Sequence, residues 1–469
     1  MRFISKVWQG VVVVGLMAMA VSTRASAVPR GAAAAALSRA AMMHAMLLSS
    51  HPAPGDTLTA HLDRIRLGFS EEVDEAFALI TLTDGTGKVR RLSPRTDPSD
   101  VYALIADCPD LAPGGYLVSW RVVSADGHPV GGYFQFYSVP AGKTAAEVLS
   151  GAPKAPEAPT EEAQGPAGAT GEPPVWAAIL RGTSEMALMA LLGLLAMLTW
   201  AVPARHSRLA KLEIILVSTT PLLLAADFLL WLQHASPTGT IDGDAIAAAF
   251  STRNGVLYGS RVGLALGAAW GLWLVRRAEL ATFFAAAAVV VTGATGHPAA
   301  ISPTIAIPAK IVHLAAISLW TGGLLVLALG DRNAEDFRRD AWRVSRIALI
   351  AVLAVAVTGS IETLLFLPRL AGLFSSAYGW LVLGKLAGLS VLVTFGWRNR
   401  YRLIPSLTEA GPAGLRRSVR WETGWMVAVV ILAAFLSYLP PPMPAGMQMT
   451  MQGHSMPGHV MPPARPEDQ

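Results

Sequence analysis

Two kinds of hydrophobic patterning divide the chain. Between residues 44 and 140, short runs alternate apolar residues with others: Ile65, Leu67 and Phe69; Ala78, Ile80 and Leu82; Tyr116, Val118, Trp120 and Val122; Gly132, Phe134 and Phe136. A period of two marks half-buried strands. Turn pairs such as Asp84-Gly85 and Pro113-Gly114 punctuate the runs. This segment is predicted to fold as a small all-β, immunoglobulin-like sandwich. From 175 to 440 the alternation gives way to long apolar stretches, at roughly 175–201, 209–233, 255–276, 279–297, 307–329, 345–367, 378–396 and 421–440. Each is near the ~20 residues that cross a bilayer as a helix, so an all-α membrane bundle of about eight transmembrane helices is expected.

Composition agrees. Of 469 residues, 53% are hydrophobic and only 15% charged, too apolar for an ordinary soluble protein. The net charge of +5 does not indicate a nucleic-acid partner. The basic residues gather in alternate loops: Arg205, Arg208 and Lys211; Arg276 and Arg277; Arg332, Arg338, Arg339 and Arg343; and Arg398 to Arg420. The positive-inside rule then places the β region and the C-terminus outside the cytoplasm. Arg2 and Lys6, an apolar run and Ala25-Ser26-Ala27 read as a signal peptide over 1–27. Residues 141–174, rich in Pro, Ala, Gly and Glu, are expected to be a flexible linker, and 441–469 a Met/His-rich tail. A single cysteine, Cys108, excludes an internal disulfide and a cysteine-rich metal site.

Three groups of residues carry candidate chemistry. Asp126 and His128 share a face if their segment is extended, and a carboxylate beside an imidazole suits a borderline ion such as Cu(II). In the tail, Met447, Met449, Met451 and Met456 interleave with His454 and His459. Thioethers favour Cu(I), and imidazole serves either copper state. Within the apolar stretches, His297, His313 and Glu362 fall in the outer half by the charge-derived topology, as do Glu185, Asp227 and His234. Ionisable groups at membrane depth face a cavity or one another, so a cation entry site is expected at His297, His313 and Glu362. Lys385 is expected to neutralise a carboxylate or serve in gating, and Trp320 with Gly322-Gly323 to reflect helix packing.

The β segment resembles the CopC family of periplasmic copper-binding sandwiches. The matching stretches are His44 to Leu47, Ser50 to Gly55, Ile65 to Glu71 and Tyr116 to Val130. The membrane region resembles CopD through Thr295-Gly296-His297, His313 to Gly323, Tyr378-Gly379, Lys385, Arg398-Asn399 and Glu422. Fused CopC–CopD chains are a known arrangement, as in YcnJ-like proteins. The resemblance implies a Cu(II) site of His44, Asp126 and His128, with the amine of the mature N-terminus as a further donor. Cleavage after Ala27 would leave His44 internal, and His51 or His61 could then substitute.

The expected function is capture of periplasmic copper and its movement across the bacterial inner membrane, inward as the CopD resemblance implies. The protein is expected not to be an enzyme. Its expected partners are copper ions, Cu(II) or Cu(I), the lipid bilayer and a periplasmic copper donor. Two rival classes remain open: a non-transporting, membrane-anchored copper sequestration protein, and a redox protein with His297 and His313 as haem ligands.

Overall fold

A computed structural model describes residues 45–125, 127–139, 175–202, 207–296, 302–330, 334–367 and 372–436. The β segment forms two sheets. One has strand order β1 (Leu47–His51), β3 (Arg64–Phe69), β7 (Asp100–Asp107), β6 (Pro94–Asp97). The other has order β2 (Thr57–Leu58), β9 (Pro129–Ser138), β8 (Gly114–Ser124), β4 (Val73–Asp84), β5 (Val89–Leu92). The alternating residues of the sequence turn inward. Ile65, Leu67, Phe69, Ile80, Leu82, Tyr116, Val118, Trp120, Val122, Phe134 and Phe136 form one core. Phe69 meets Trp120 edge-on at 5.3 Å between ring centres. The sandwich expected from the pattern is therefore the fold found.

The C-terminal region is helical. Its long elements are α1 (Val175–Ala196), α2 (Ser207–Ala235), α4 (Arg253–Trp273), α5 (Ala278–Gly293), α6 (Pro303–Leu329), α7 (Ala334–Phe366), α9 (Ala377–Arg398) and α11 (Ala413–Leu436). Short helices α3 (Gly243–Ser251), α8 (Gly372–Ser375) and α10 (Leu407–Ala410) lie between them. Wide π turns extend α1 over Met197–Ala201 and α9 over Asn399–Leu403. Among the described residues, each apolar stretch of the sequence coincides with a helix. Six of these, Val175–Ala201, Ser207–Ala235, Pro303–Leu329, Glu335–Phe366, Ala377–Leu403 and Ala413–Leu436, are long and apolar enough to cross a membrane. The other two do not meet that standard: α5 has only 16 residues, and α4 carries Arg253, Asn254 and Arg261.

The bundle's centre is α1 against α6, and here two backbones touch. A Cβ on Gly193 would lie 1.8 Å from the Ser318 carbonyl oxygen, and one on Gly322 would lie 2.1 Å from the Gly193 carbonyl carbon. Small residues at such a crossing let helices pack by close van der Waals contact where no water drives association. Trp320 does more than pack. Its Nε1 donates to Glu422 Oε1 at 3.0 Å, and Asn399 Nδ2 donates to the other carboxylate oxygen at 2.7 Å.

Strand alternation also explains how the two regions meet. Inward residues of β8 are Tyr116 to Val122 by twos, so Arg121 and Val123 point outward. They do not point to solvent. Val123 and its β4 neighbour Phe77 are buried with Trp231, Leu232, Ala235, Ala245, Ala249 and Tyr258 of the helical region. The sandwich sits at the end of α2 that carries Ala235, far from Arg208 and Lys211 at its start. Burying Phe77 alone is worth about 1.5–3 kcal/mol. The sandwich and the helical region thus pack directly against each other.

Candidate metal loop and membrane cluster

The β8–β9 turn holds the first candidate site. Ser124 N and Ser124 Oγ both donate to the His128 carbonyl at 2.9 Å, and Gly127 N donates to the Ser124 carbonyl at 2.8 Å. Gly127 has φ +91°, a left-handed conformation that glycine adopts without strain. The flanking strands β8 and β9 pair antiparallel, so the chain reverses direction in a hairpin between them. The His128 side chain is half-buried, with Nδ1 enclosed. His44 and Asp126 lie outside the described residues.

The bundle grips this turn from below. Trp231 Nε1 donates to the Gly127 carbonyl at 2.9 Å, and Asn254 Nδ2 donates to the Ala125 carbonyl at 3.2 Å. Arg121 reaches past them to the end of α2. Its guanidinium donates to the carbonyls of Ser236 at 2.9 Å and Ala235 at 3.3 Å, and to that of His234. His234 and Ala235 belong to the last turn of α2, whose carbonyls lack intrahelical partners and carry the negative end of the helix dipole, so a cation there is favoured. Trp231 is in turn stacked on Tyr258, with centres 5.2 Å apart and planes at 10°. Beneath Tyr258 lie the guanidinium groups of Arg261, 5.2 Å from the ring centre, and Arg181, at 5.9 Å.

Asp74 sits at the same interface, opposite Val123 on β4. Burial pushes its carboxyl up to about 6, with Glu72 adding to the rise and Asn254 and Arg253 opposing it. A carboxylate whose affinity for protons rises on burial stabilises the packed state fully below its free value near 3.8. That contribution is lost as pH climbs through about 6. At about 1.4 kcal/mol per pH unit, trimmed for partial exposure, the effect is about 2 kcal/mol. Hydrogen-exchange protection of the Val123–Gly127 backbone in the full chain should therefore be greater at pH 4.5 than at pH 7. Asp74→Asn should flatten that dependence.

Deeper in the bundle the ionisable groups separate into two sets. In the first, Arg261 Nη1 lies 3.3 Å from Asp227 Oδ2, with the two side chains 1% and 4% exposed. Arg181 Nε lies 3.4 Å from Glu185 Oε1. Lys310 interacts electrostatically with Glu185 and donates to the Thr295 carbonyl at 2.9 Å. A Cβ on Gly296 would meet Arg181 at 3.7 Å and Lys310 at 3.9 Å. This acidic pair is thus an ion-pair network with basic partners and not an open cation site. Glu185 and Asp227 stand out in the sequence as acidic groups at membrane depth, whereas Arg181, Arg261 and Lys310 were not among the expected site residues. The signal was present, since an arginine inside an apolar helix needs a partner as much as a carboxylate does.

In the second set, His313 Nδ1 and Thr358 Oγ1 share a 2.8 Å hydrogen bond between α6 and α7. A Cβ on Gly359 would lie 3.5 Å from His313 Cε1. Glu362, one turn beyond Thr358, has Oε1 enclosed without a hydrogen-bond partner among the described residues. Lys385 and Lys310 act electrostatically on both His313 and Glu362. Thr358, bonded to His313, and Glu362 lie one helical turn apart on α7, which brings His313 and Glu362 into one neighbourhood under the electrostatic influence of both lysines. His297 lies outside the described residues, as do Met447, Met449, Met451, His454, Met456 and His459.

The remaining candidates have ordinary surroundings. His51 is exposed, and His61 lies at the surface 3.4 Å from Asp63. His234 Nδ1 bonds the Leu230 carbonyl at 2.7 Å within its own helix. Burial pushes the Cys108 thiol up to about 11, so at neutral pH it is not a thiolate. Among the described residues, no group of three or more His, Cys, Asp or Glu could hold a metal ion. Two of the three expected Cu(II) ligands, His44 and Asp126, are not among those residues.

Comparison with known proteins gives one consistent picture. A CopC domain family model matches residues 47–138, and a Copper resistance protein D family model matches residues 339–436. The chain is 25% identical over 442 residues to the copper transport protein CutJ of Bacillus subtilis (strain 168), covering 87% of this chain and 76% of that one. It is 31% identical over 156 residues to copper resistance protein D of Pseudomonas syringae pv. tomato, covering 30% of this chain and 50% of that protein. The chain thus spans about half the length of this second relative. The crystal structure of CopC from Methylosinus trichosporium OB3b is 31% identical, covers 22% of this chain and 99% of its own, and gives a TM-score of 0.21.

Proposed function

We propose, from the premise that the chain belongs to the CopC family over its sandwich and carries a CopD domain in its bundle, that it captures copper outside the cytoplasmic membrane and moves it inward. The observation that carries this reading is the seating of the Ser124–His128 turn directly on the end of the bundle. Asp126 and His128, with His44, would hold Cu(II) there. Capture at that point releases the ion onto the bundle and not into bulk solvent.

His313 and Glu362 would receive it next. His313 lies ten residues into α6, ~15 Å along that helix at 1.5 Å per residue. Two ammonium groups beside one carboxylate disfavour a cation. Entry would therefore work against the positive charge of Lys385 and Lys310, and withdrawal of Lys385 would give that lysine a gating role. The tail, with its methionines, would collect Cu(I) on the same outer side. We assign no catalytic step to the chain, and its energy would come from a gradient.

Purified protein in proteoliposomes tests this reading against sequestration. Vesicles with the full chain should accumulate copper in their lumen, beyond reach of an external chelator, well above empty vesicles. His313→Ala with Glu362→Gln should cut that rate about tenfold while the copper bound at the surface stays unchanged. Lumenal copper no higher than in empty vesicles would leave sequestration as the function.

A further inference from the structure

We infer that Trp231 and Asn254, side chains of the membrane region, are positioning residues for the copper loop of the sandwich, so that copper affinity is set by both regions together. The inference rests on the copper reading above. The two carbonyls that Trp231 and Asn254 hold, those of Gly127 and Ala125, stand immediately on either side of residue 126 in the chain. Gly127 has little room to move: a Cβ there would meet Trp231 Nε1 at 3.2 Å and Asn254 Cγ at 3.4 Å. Neither donor belongs to a flexible element. Trp231 is 8% exposed and wedged between Phe77, edge-on at 5.8 Å, and the Tyr258 ring. Asn254 is 2% exposed in the first turn of α4, behind the Thr252 cap, where Gly255 N donates to Thr252 Oγ1 at 3.0 Å.

A tetragonal Cu(II) site depends on where its donors are held. Neighbouring groups that fix the orientation of metal ligands commonly alter affinity by 10–100-fold. Here those groups come from a different domain. In the isolated sandwich both carbonyls would face water, and the turn would have only its own Ser124–His128 closure. Linkage then makes the effect reciprocal. Docking tightens copper binding, and copper binding tightens docking. The Tyr258 ring and the Arg261 and Arg181 guanidiniums beneath Trp231 would feel the loading of the loop, which connects capture to the buried charges of the bundle.

The test is Cu(II) competition titration with electron paramagnetic resonance on the full chain. The variants are Trp231→Phe, which keeps the ring stack but removes the donor, and Asn254→Ala. Each should weaken binding about tenfold and shift the copper hyperfine pattern. The double variant should weaken binding more than either single change, and Asn254→Gln should recover part of the loss. Wild-type affinity and an unchanged spectrum in the Trp231→Phe, Asn254→Ala double variant would overturn the inference while leaving the copper site intact. If wild-type binding does not depend on His128, both the inference and the reading beneath it fail. Copper-induced protection of the Trp231 indole from exchange is a second readout, expected in the wild type and absent in His128→Ala.

Discussion

Gly322→Val is expected to prevent the bundle from assembling, and Gly193→Val to do the same. The reason is geometric. At this crossing α1 and α6 are in backbone contact, and even the first carbon of a side chain on Gly322 would overlap Gly193 at 2.1 Å. The neighbour that must yield is backbone, so no rotamer change relieves the clash. The helices would have to separate, which would open the packing of Leu188 to Leu195 against Leu314, Trp320 and Leu324. Overpacking in a tight core costs about 1–3 kcal/mol, and forcing two helices apart also forfeits the dispersion attraction along their shared length. Gly322→Ala should therefore lower the thermal midpoint in detergent by about 10 °C, and the valine variants should elute as aggregate. Gly263→Ala and Gly424→Ala are the controls. Nothing lies within 4 Å of a Cβ at either position, so each should leave the midpoint unchanged or raise it slightly.

Much of this architecture could be read from the sequence. The period-two runs gave the core of the sandwich because burial of one sheet face leaves no other solution for residues such as Val118 and Trp120. The apolar stretches gave the helices because the bilayer fixes their length. Gly322-Gly323 was legible as a packing feature. What escaped was long-range. Phe77 and Val123 occupy outward strand positions where a polar residue would be ordinary, and that breach of alternation was the one hint that a second body covers the sheet. Trp231 and Asn254 lie more than a hundred residues from the loop they hold, with no shared pattern to connect them. Arg181 and Arg261 escaped because they are the basic halves of ion pairs, whereas candidate metal ligands are acidic or imidazole groups. The candidate site was half legible: Asp126 and His128 stood out by type and spacing, but the surface under the Ser124–His128 hairpin arises from tertiary contacts.

Asp126→Ala with His128→Ala is expected to abolish high-affinity Cu(II) binding by the full chain. The loop would lose one carboxylate and one imidazole, the only donors of those types in the Ser124–Val130 segment. Their joint removal should cost at least about 4 kcal/mol, a thousandfold in the dissociation constant. The fold should survive, because the hairpin is closed by Ser124, Gly127 and the His128 backbone, none of which depends on either side chain. The Trp231 and Asn254 hydrogen bonds are likewise made to main-chain carbonyls.

Competition titration of Cu(II) against a chromophoric chelator, run on the full chain and on this double variant, measures the central claim directly. A tight copper ion on the wild type that vanishes with residues 126 and 128, while circular dichroism stays the same, is the predicted result. Equal affinity in the two proteins would mean that the turn seated on the bundle does not bind copper, and capture at the membrane's outer face would have to be abandoned.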